Sequence, residues 1–229
     1  MIVITLAGEA KRFFDAGYTV VKYKLPYGDS TVIENIFNYL PKEKKILLVI
    51  NKKFNDYSFF VELLKKLKFN KYFIVEIDGS NGQYESVELG LNNSRGFWTG
   101  QDAITIYNGD TIRRSYNWNY SECDGYIEVF IADGDHWSFV NKIGKVTEVV
   151  EKERISPYCS SGLYYFRTVD LFLRYKDLYY AKKFKEFYIA PYYNLLINNN
   201  LFIKSGLVEK NNFIFCGTPI EYEQALKEN

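Results

Sequence analysis

The sequence predicts a single α/β domain: a mostly parallel, mixed central sheet flanked by helices, with antiparallel elements added in the C-terminal half. Three observations carry this expectation. Through the first half, short apolar runs alternate with amphipathic stretches of helical spacing, the pattern of buried parallel strands joined by helices. Beyond residue 120 the apolar runs follow one another more closely around turn signals, as antiparallel strands do. The 229 residues contain no Gly-, Pro- or Ser-rich linker and no internal repeat, so one domain over 1–229 is expected.

Taken in order, Met1–Leu6 is an apolar run that meets Ala7-Gly8 at once, as a buried strand delivering the chain into a loop does. Thr31–Leu40 has helical spacing, and Ile46–Ile50 is a continuous apolar run after four charges and a proline. Tyr57–Leu67 is an amphipathic helix with FF..LL..L on one side, Tyr72–Ile77 a strand and Gln83–Leu91 a helix. Ala103–Tyr107 is a further strand that ends in Asn108-Gly109-Asp110. Gly125–Ile131 and Gly162–Phe166 read as strands, and Trp137–Asn141 with Lys145–Val150 as a hairpin turning at Lys142-Ile143-Gly144. A helix over Tyr188–Ile197, strands at Phe202–Leu207 and Phe213–Cys216, and a closing helix at Ile220–Lys227 complete the reading.

Composition narrows the function classes. Lys+Arg 29 against Asp+Glu 28 leaves a net charge of +1, which gives a polyanionic polymer no field to follow, so nucleic acid is not expected as a partner. The aromatics, 18% of the chain, lack an accompanying basic stripe and are assigned to core and pocket lining. Cys123, Cys159 and Cys216 are too widely spaced for a metal knuckle and odd in number for a disulfide framework, so they are expected as reduced thiols. No basic region precedes the apolar N-terminal stretch, and no apolar run approaches the ~18 residues of a membrane span. A cytoplasmic protein with no membrane partner is expected.

Several segments can carry chemistry. Leu6-Ala7-Gly8-Glu9-Ala10-Lys11-Arg12-Phe13 places a glycine turn and two cations after the first strand. Backbone N–H groups freed there can hold phosphate, with Arg12 adding charged donors; an ordinary surface turn fits the segment alone equally. It is neither a Walker loop nor a three-glycine dinucleotide fingerprint. Lys22 is a second candidate phosphate ligand or a surface lysine. Asp110 follows a buried strand directly and so emerges at the edge where open α/β sheets bind ligands, where one carboxylate suffices for magnesium shared with substrate phosphates. A loop-capping Asp is the alternative. Glu151-Lys152 pairs an acceptor with a cation at a strand end, or is a solvated pair. His136, the only histidine, excludes a histidine-rich metal site and is assigned a peripheral role.

In combination these segments resemble the nucleotidyltransferase family that makes nucleotide-activated sugars and related phospho-compounds for bacterial surface polymers, from Ile2 to about Tyr222. LAGEAKRF and GYTVVK are similar to its glycine-rich loop ending in Arg and to its Gly-Tyr-x-x-Pro-Lys element, with Ala10 where glycine is usual and Val21 where proline is usual. Asp78–Ser86 resembles its Gly-Gln-x-x-Thr base-contacting region, GKVTEVVEK with SSGLYYF its acceptor half, and Phe215–Pro219 its closing Gly-Thr-Pro element. Several relatives carry a second metal-binding aspartate just before that element; here Phe215 stands in its place, and Glu221 is a candidate substitute.

The resemblance implies a Rossmann-like, GT-A-type domain with a nucleotide-binding half (about 1–118) and an acceptor-binding half (119–222). It implies an enzyme using Mg2+, an NTP and a small phosphorylated metabolite, releasing pyrophosphate; a homodimer is left open. Leu6, Ala7, Gly8, Glu9, Gly82, Gln83, Asn108 and Gly109 would hold the nucleotide. Asp110 would bind the metal, Arg12 and Lys22 the polyphosphate, Glu151 and Gly162 the acceptor, and Lys152 its phosphate. CTP is the first choice of donor and a sugar phosphate of acceptor; phosphocholine and phosphorylated glutamine are alternatives. Glycosyl transfer from a nucleotide sugar and a catalytically impaired nucleotide-binding homologue are the rival functions.

Overall fold

The computed structural model describes residues 1–116, 120 and 122–228, so the expected boundary between halves at 118/119 lies outside the described residues. From the N-terminus run β1 (Ile2–Leu6), α1 (Lys11–Asp15), the short pair β2 (Pro26–Tyr27) and β3 (Ser30–Thr31), α2 (Val32–Asn38), β4 (Ile46–Asn51), α3 (Tyr57–Lys66), β5 (Tyr72–Ile77), α4 (Gln83–Asn92) and β6 (Ile104–Asn108). Next come β7 (Thr111–Arg113), β8 (Gly125–Ile131), β9 (Ser138–Val140), β10 (Gly144–Lys145), β11 (Val149–Glu151) and β12 (Tyr158–Phe166). The chain closes with α5 (Val169–Leu173), α6 (Lys176–Tyr180), α7 (Ile189–Asn198), β13 (Ile203–Leu207), β14 (Phe213–Phe215) and α8 (Pro219–Lys227).

One sheet runs through both halves in the order β10-β13-β8-β12-β6-β1-β4-β5. β1 pairs in parallel with β4 and β6, β4 with β5, and β8 with β13, whereas β12 runs antiparallel to both β6 and β8. The sheet is therefore mixed, as the sequence predicts.

Strand periodicity explains how both faces are covered. Ile2, Ile4 and Leu6 of β1, with Ile46, Leu48 and Ile50 of β4, enter one core with Ile33, Ile36 and Phe37 of α2 and Phe60 and Leu64 of α3. Val3, Leu47 and Val49 point the other way, into a second core with Tyr84 and Leu91 of α4 and Tyr192 and Leu196 of α7. Each such aliphatic side chain, buried on a central strand, contributes about 1.5–3 kcal/mol over exposure, which is why these runs read as continuous rather than alternating.

The expected hairpin is present with a different turn. β9 pairs with β11, but the connection is wider than Lys142-Ile143-Gly144. Asn141 closes it by accepting from the N–H groups of Thr147 (3.1 Å) and Glu148 (3.3 Å), and this leaves Gly144 and Lys145 free to pair with β13. β12 begins at Tyr158 rather than Gly162, with a register break between Ser160 and Tyr164 against β8. β7, α1, α5 and α6 were not anticipated; all are of five residues or fewer, too short to show a period. The three thiols are free and buried. No helix among the described residues is long and apolar enough to cross a membrane.

Candidate active site

The C-terminal ends of β1 and β6 and the break in β12 converge on one cleft of about 470 Å³. It lies beyond the carboxyl ends of the parallel strands, where open α/β sheets leave a crevice. Ala7, Gly8, Arg12, Lys22, Gly82, Gln83, Asn108, Gly109, Asp110, Glu151, Lys152 and Gly162 all line it. Leu6 and Glu9 do not: Leu6 is buried in the core beneath Gly109, and Glu9 is exposed.

At the two departures from the resembled motifs the backbone takes conformations that glycine and proline favour. Ala10 adopts the left-handed conformation, φ 54° and ψ 22°, that glycine takes without strain, at a cost of about 1–2 kcal/mol. Val21 has φ −65° and ψ 145°, the φ a proline ring would impose. Lys22 follows in a 3-10 turn, Lys22–Lys24, clamped from behind by the buried Asp56, which accepts from the Tyr23 hydroxyl at 2.6 Å and from Lys24 Nζ. With its neighbours so held, Lys22 Nζ donates to Asp110 Oδ2 in the cleft.

Asp110 faces a second carboxylate. Its carbonyl accepts from the Cys216 N–H at 2.8 Å, which holds the Gly217-Thr218 segment beside it. Thr218 caps α8, and Glu221 completes a capping box: Glu221 Oε2 accepts from the Thr218 N–H (2.9 Å) and hydroxyl (3.0 Å). A Cβ on Gly217 would stand 3.2 Å from Glu221 Oε2 and 3.3 Å from Asp110 Oδ2, so the missing side chain keeps the space between the two carboxylates open. Glu221 Oε1 lies 4.0 Å from His136 Nε2. His136, set aside as peripheral on sequence, therefore stands on the cleft wall.

Two hard oxygen donors suit a magnesium ion that takes its remaining ligands from water and phosphate. No group of three or more His, Cys, Asp or Glu side chains among the described residues is arranged for a metal, so an all-protein cage does not fit. Cys216 lies next to this centre but is no nucleophile, because burial, with the Asp110 charge, pushes its thiol up to about 12.

The far end of the cleft is built on β11. Lys152 has φ 57°, an uncommon conformation for lysine, and its ammonium donates to the Tyr188 hydroxyl and sits 4.4 Å from that ring's centroid. Tyr188 in turn donates to Glu186. Glu151 accepts from the Ser138 hydroxyl and lies 3.8 Å from Lys152 Nζ. Burial raises the Glu151 carboxyl above its ordinary value, offset in part by the Ser138 hydrogen bond and the Lys152 charge. Arg12, exposed and lining the cleft, is near enough to Tyr188 for its charge to act there.

Two of the predicted glycines serve the protein's own packing. A Cβ on Gly82 would come within 2.5 Å of the Phe187 carbonyl oxygen, so Gly82 admits the backbone that carries Glu186 and Tyr188 to the cleft. A Cβ on Gly162 would come within 2.1 Å of Asn108 Nδ2; the room there is filled by that amide. Gly8, by contrast, meets no heavy atom within 4 Å. Glu186, Tyr188 and Ser138 escaped the sequence reading, since each reaches the cleft by tertiary packing rather than through a local motif.

A doubly covered mixed sheet, with a cleft holding cations and carboxylates at its strand ends, is the architecture of the α/β proteins that bind ligands beyond the carboxyl ends of their strands. No protein-family model matches the chain, nor does any curated protein sequence. Among solved structures it is similar to a nucleoside-diphosphate-sugar pyrophosphorylase from Vibrio cholerae RC9, with 35% identity and a TM-score of 0.93 over 99% of this chain and 100% of that one. A putative glucose-1-phosphate thymidylyltransferase from Bacillus anthracis (17% identity, TM-score 0.80, 99% and 94% covered) shares the fold. So does the inositol-1-phosphate CTP transferase of T. maritima (12%, 0.77, 99% and 94%). The chain belongs to the sugar-phosphate nucleotidyltransferase family.

Proposed function

We propose that this chain is a Mg-dependent nucleotidyltransferase that moves a nucleoside monophosphate from an NTP onto the phosphate of a small metabolite and releases pyrophosphate. The observation that carries this reading is one cleft lined by Lys22 paired with Asp110, by Glu151 with Lys152, and by Arg12. Residues 1–118 and 119–222 are then nucleotide- and acceptor-binding halves of one domain. The reaction needs no protein nucleophile: an acceptor phosphate oxygen attacks the α-phosphorus, the bond to the β-phosphate bridging oxygen breaks, and pyrophosphate leaves with that electron pair.

Each side chain has a task in that exchange. The Gly8 loop offers backbone N–H groups to the polyphosphate, and Arg12 adds a fork of donors to balance charge growing on the leaving group. Lys22 exchanges its Asp110 partner for phosphate oxygens. Asp110 and Glu221 would hold magnesium, which when bound supplies charge neutralisation for the phosphates. Lys152 holds the attacking phosphate, and Glu151 accepts a hydrogen bond from the body of the acceptor.

We take the acceptor to be a sugar phosphate, the donor to be CTP, and the setting to be surface-polysaccharide synthesis in the cytoplasm. The GYxxxK opening favours CTP by its resemblance to capsule-related enzymes. Phosphocholine and phosphorylated glutamine are the alternative acceptors, since Glu151 also suits an ammonium. Four NTPs tested against hexose, heptose, choline, glycerol and amino-acid phosphates, read by mass spectrometry, identify the product. Pyrophosphate with a nucleotide-linked product is expected, and Asp110→Asn should lower its rate at least ~100-fold with circular dichroism unchanged. A nucleoside diphosphate with transferred sugar would point to glycosyl transfer, and NTP binding without turnover to an impaired homologue.

A further inference from the structure

At the middle of the cleft, one side chain touches both halves. Asn108, the last residue of β6, accepts through Oδ1 from Gln83 Nε2 at 2.8 Å. The second hydrogen of the Gln83 amide goes to Thr5 Oγ1 of β1, at 3.3 Å. A primary amide has two donors, and both are committed here; what Gln83 retains for a ligand is its carbonyl oxygen, which accepts from no described residue.

In this arrangement Asn108 Oδ1 faces the Gln83 amide and Asn108 Nδ2 lies over Gly162, whose Cα admits it because no Cβ stands in the way. Gly162 donates its own N–H to Ser160 Oγ at 3.2 Å, so an Asn108 carbonyl turned that way would gain no donor from it.

We propose that Asn108 is a specificity-determining positioning residue, holding the Gln83 amide so that a carbonyl acceptor rather than an NH2 meets the nucleobase. The inference rests on the reading that an NTP binds in this cleft. The base selected is one that presents an N–H to Gln83, such as the amino group of cytosine or the imide of uracil. A base turning a carbonyl or ring nitrogen there meets a second acceptor, and the mismatch is rejected as an unpaired buried polar group is. Base choice is thus set by a residue that makes no required contact with the base.

The test is equilibrium binding of the four NTPs, in magnesium and without acceptor, to the full chain and its variants. Wild type is expected to prefer one NTP. An analogue of that NTP with its edge N–H methylated should bind at least about tenfold more weakly. Asn108→Leu releases the Gln83 amide to rotate and should narrow the preference by about tenfold or more. Asn108→Asp keeps an acceptor for Gln83, so the preference should survive even as the added charge weakens every NTP alike; a purely structural role would not separate the two variants in this way. Asn108→Leu, folded by circular dichroism, with the wild-type ratio of affinities overturns the proposal, as does wild type binding all four NTPs equally. Wild type that binds no NTP defeats instead the nucleotide-binding reading beneath it.

Discussion

Gly217→Ala separates the chemistry of the cleft from the stability of the fold. The alanine methyl would stand 3.2 Å from Glu221 Oε2 and 3.3 Å from Asp110 Oδ2, tight enough that both carboxylates must retreat by a few tenths of an ångström. Gly217 does not have left-handed backbone, so alanine introduces no strain there and removes freedom from the unfolded chain, worth about 0.4–1 kcal/mol in favour of the variant. Both carboxylates belong to the cleft and can move into it. Stability should therefore stay within about 1 kcal/mol of wild type, while a methyl group fills the space where the proposed function puts a metal and polyphosphate.

The functional cost follows from placement: a misplacement of about 1 Å can lower turnover roughly 100-fold, and a shift of a few tenths of an ångström should lower it measurably within that limit. Gly90 supplies the control with the opposite signature. Its added Cβ would lie 2.4 Å from Val49 Cγ2, inside the core between α4 and β4. Gly90→Ala should lose on the order of 1 kcal/mol, overpacking offset in part by better helix propensity, and keep its activity. Urea melts and pyrophosphate release on both variants are the assays, together with manganese binding followed by electron paramagnetic resonance. Gly217→Ala with wild-type turnover and wild-type manganese affinity would refute the two-carboxylate site.

Arg12→Ala and Lys22→Ala should each raise the NTP requirement or depress turnover, and the double variant should be non-additive because both cations serve one polyphosphate; additive effects in steady-state kinetics would place them on separate groups. Ser138→Ala removes a hydrogen bond that favours the charged form of Glu151, so the acid limb of the pH profile of kcat/KM for the acceptor should move to higher pH, and a limb that stays fixed would remove Glu151 from acceptor binding. Glu128 is buried against Arg113 and Ser161, and burial outweighs both partners, raising its carboxyl to about 6. The native state thus holds this proton more tightly than the unfolded chain, so its contribution to stability is fully present below the ordinary 4.5 and is lost as pH rises through about 6. Denaturant melts across that window should show the decline in wild type and not in Glu128→Gln.

How far the sequence could be read depended on whether the signal was local. The runs at Ile2–Leu6 and Ile46–Asn51 are legible because a strand buried on both faces must be apolar at nearly every position. Arg12, Lys22, Asp110 and Lys152 were legible because each sits one or two turns of chain from a strand end or glycine. Glu186 and Tyr188 were not, since they reach the cleft only through the Phe187 backbone packed on Gly82, across more than a hundred residues of sequence. Gly162 was visible as a glycine, but its use was not: nothing local says that an asparagine amide from β6 lies where its side chain would be.

The same distinction bears on Phe215, which stands where the family resemblance leads one to expect an aspartate. A substitution read along the chain is a loss: the phenylalanine ring packs against Trp137 and Phe130, with centroids 5.1 Å away in each case, and offers a metal nothing. In three dimensions the segment that follows turns back on Asp110 through the Cys216 N–H, and the capping box that starts α8 takes a Glu or Gln three positions beyond Thr218, here Glu221. Glu221 is thus held in the cleft by its capping role, with Oε2 tied to Thr218 and Oε1 turned towards His136. A carboxylate fixed by capping is an acceptor already oriented before any ligand arrives, so the ion-binding capacity attributed to the missing aspartate can be carried by a residue whose conspicuous sequence signature is structural.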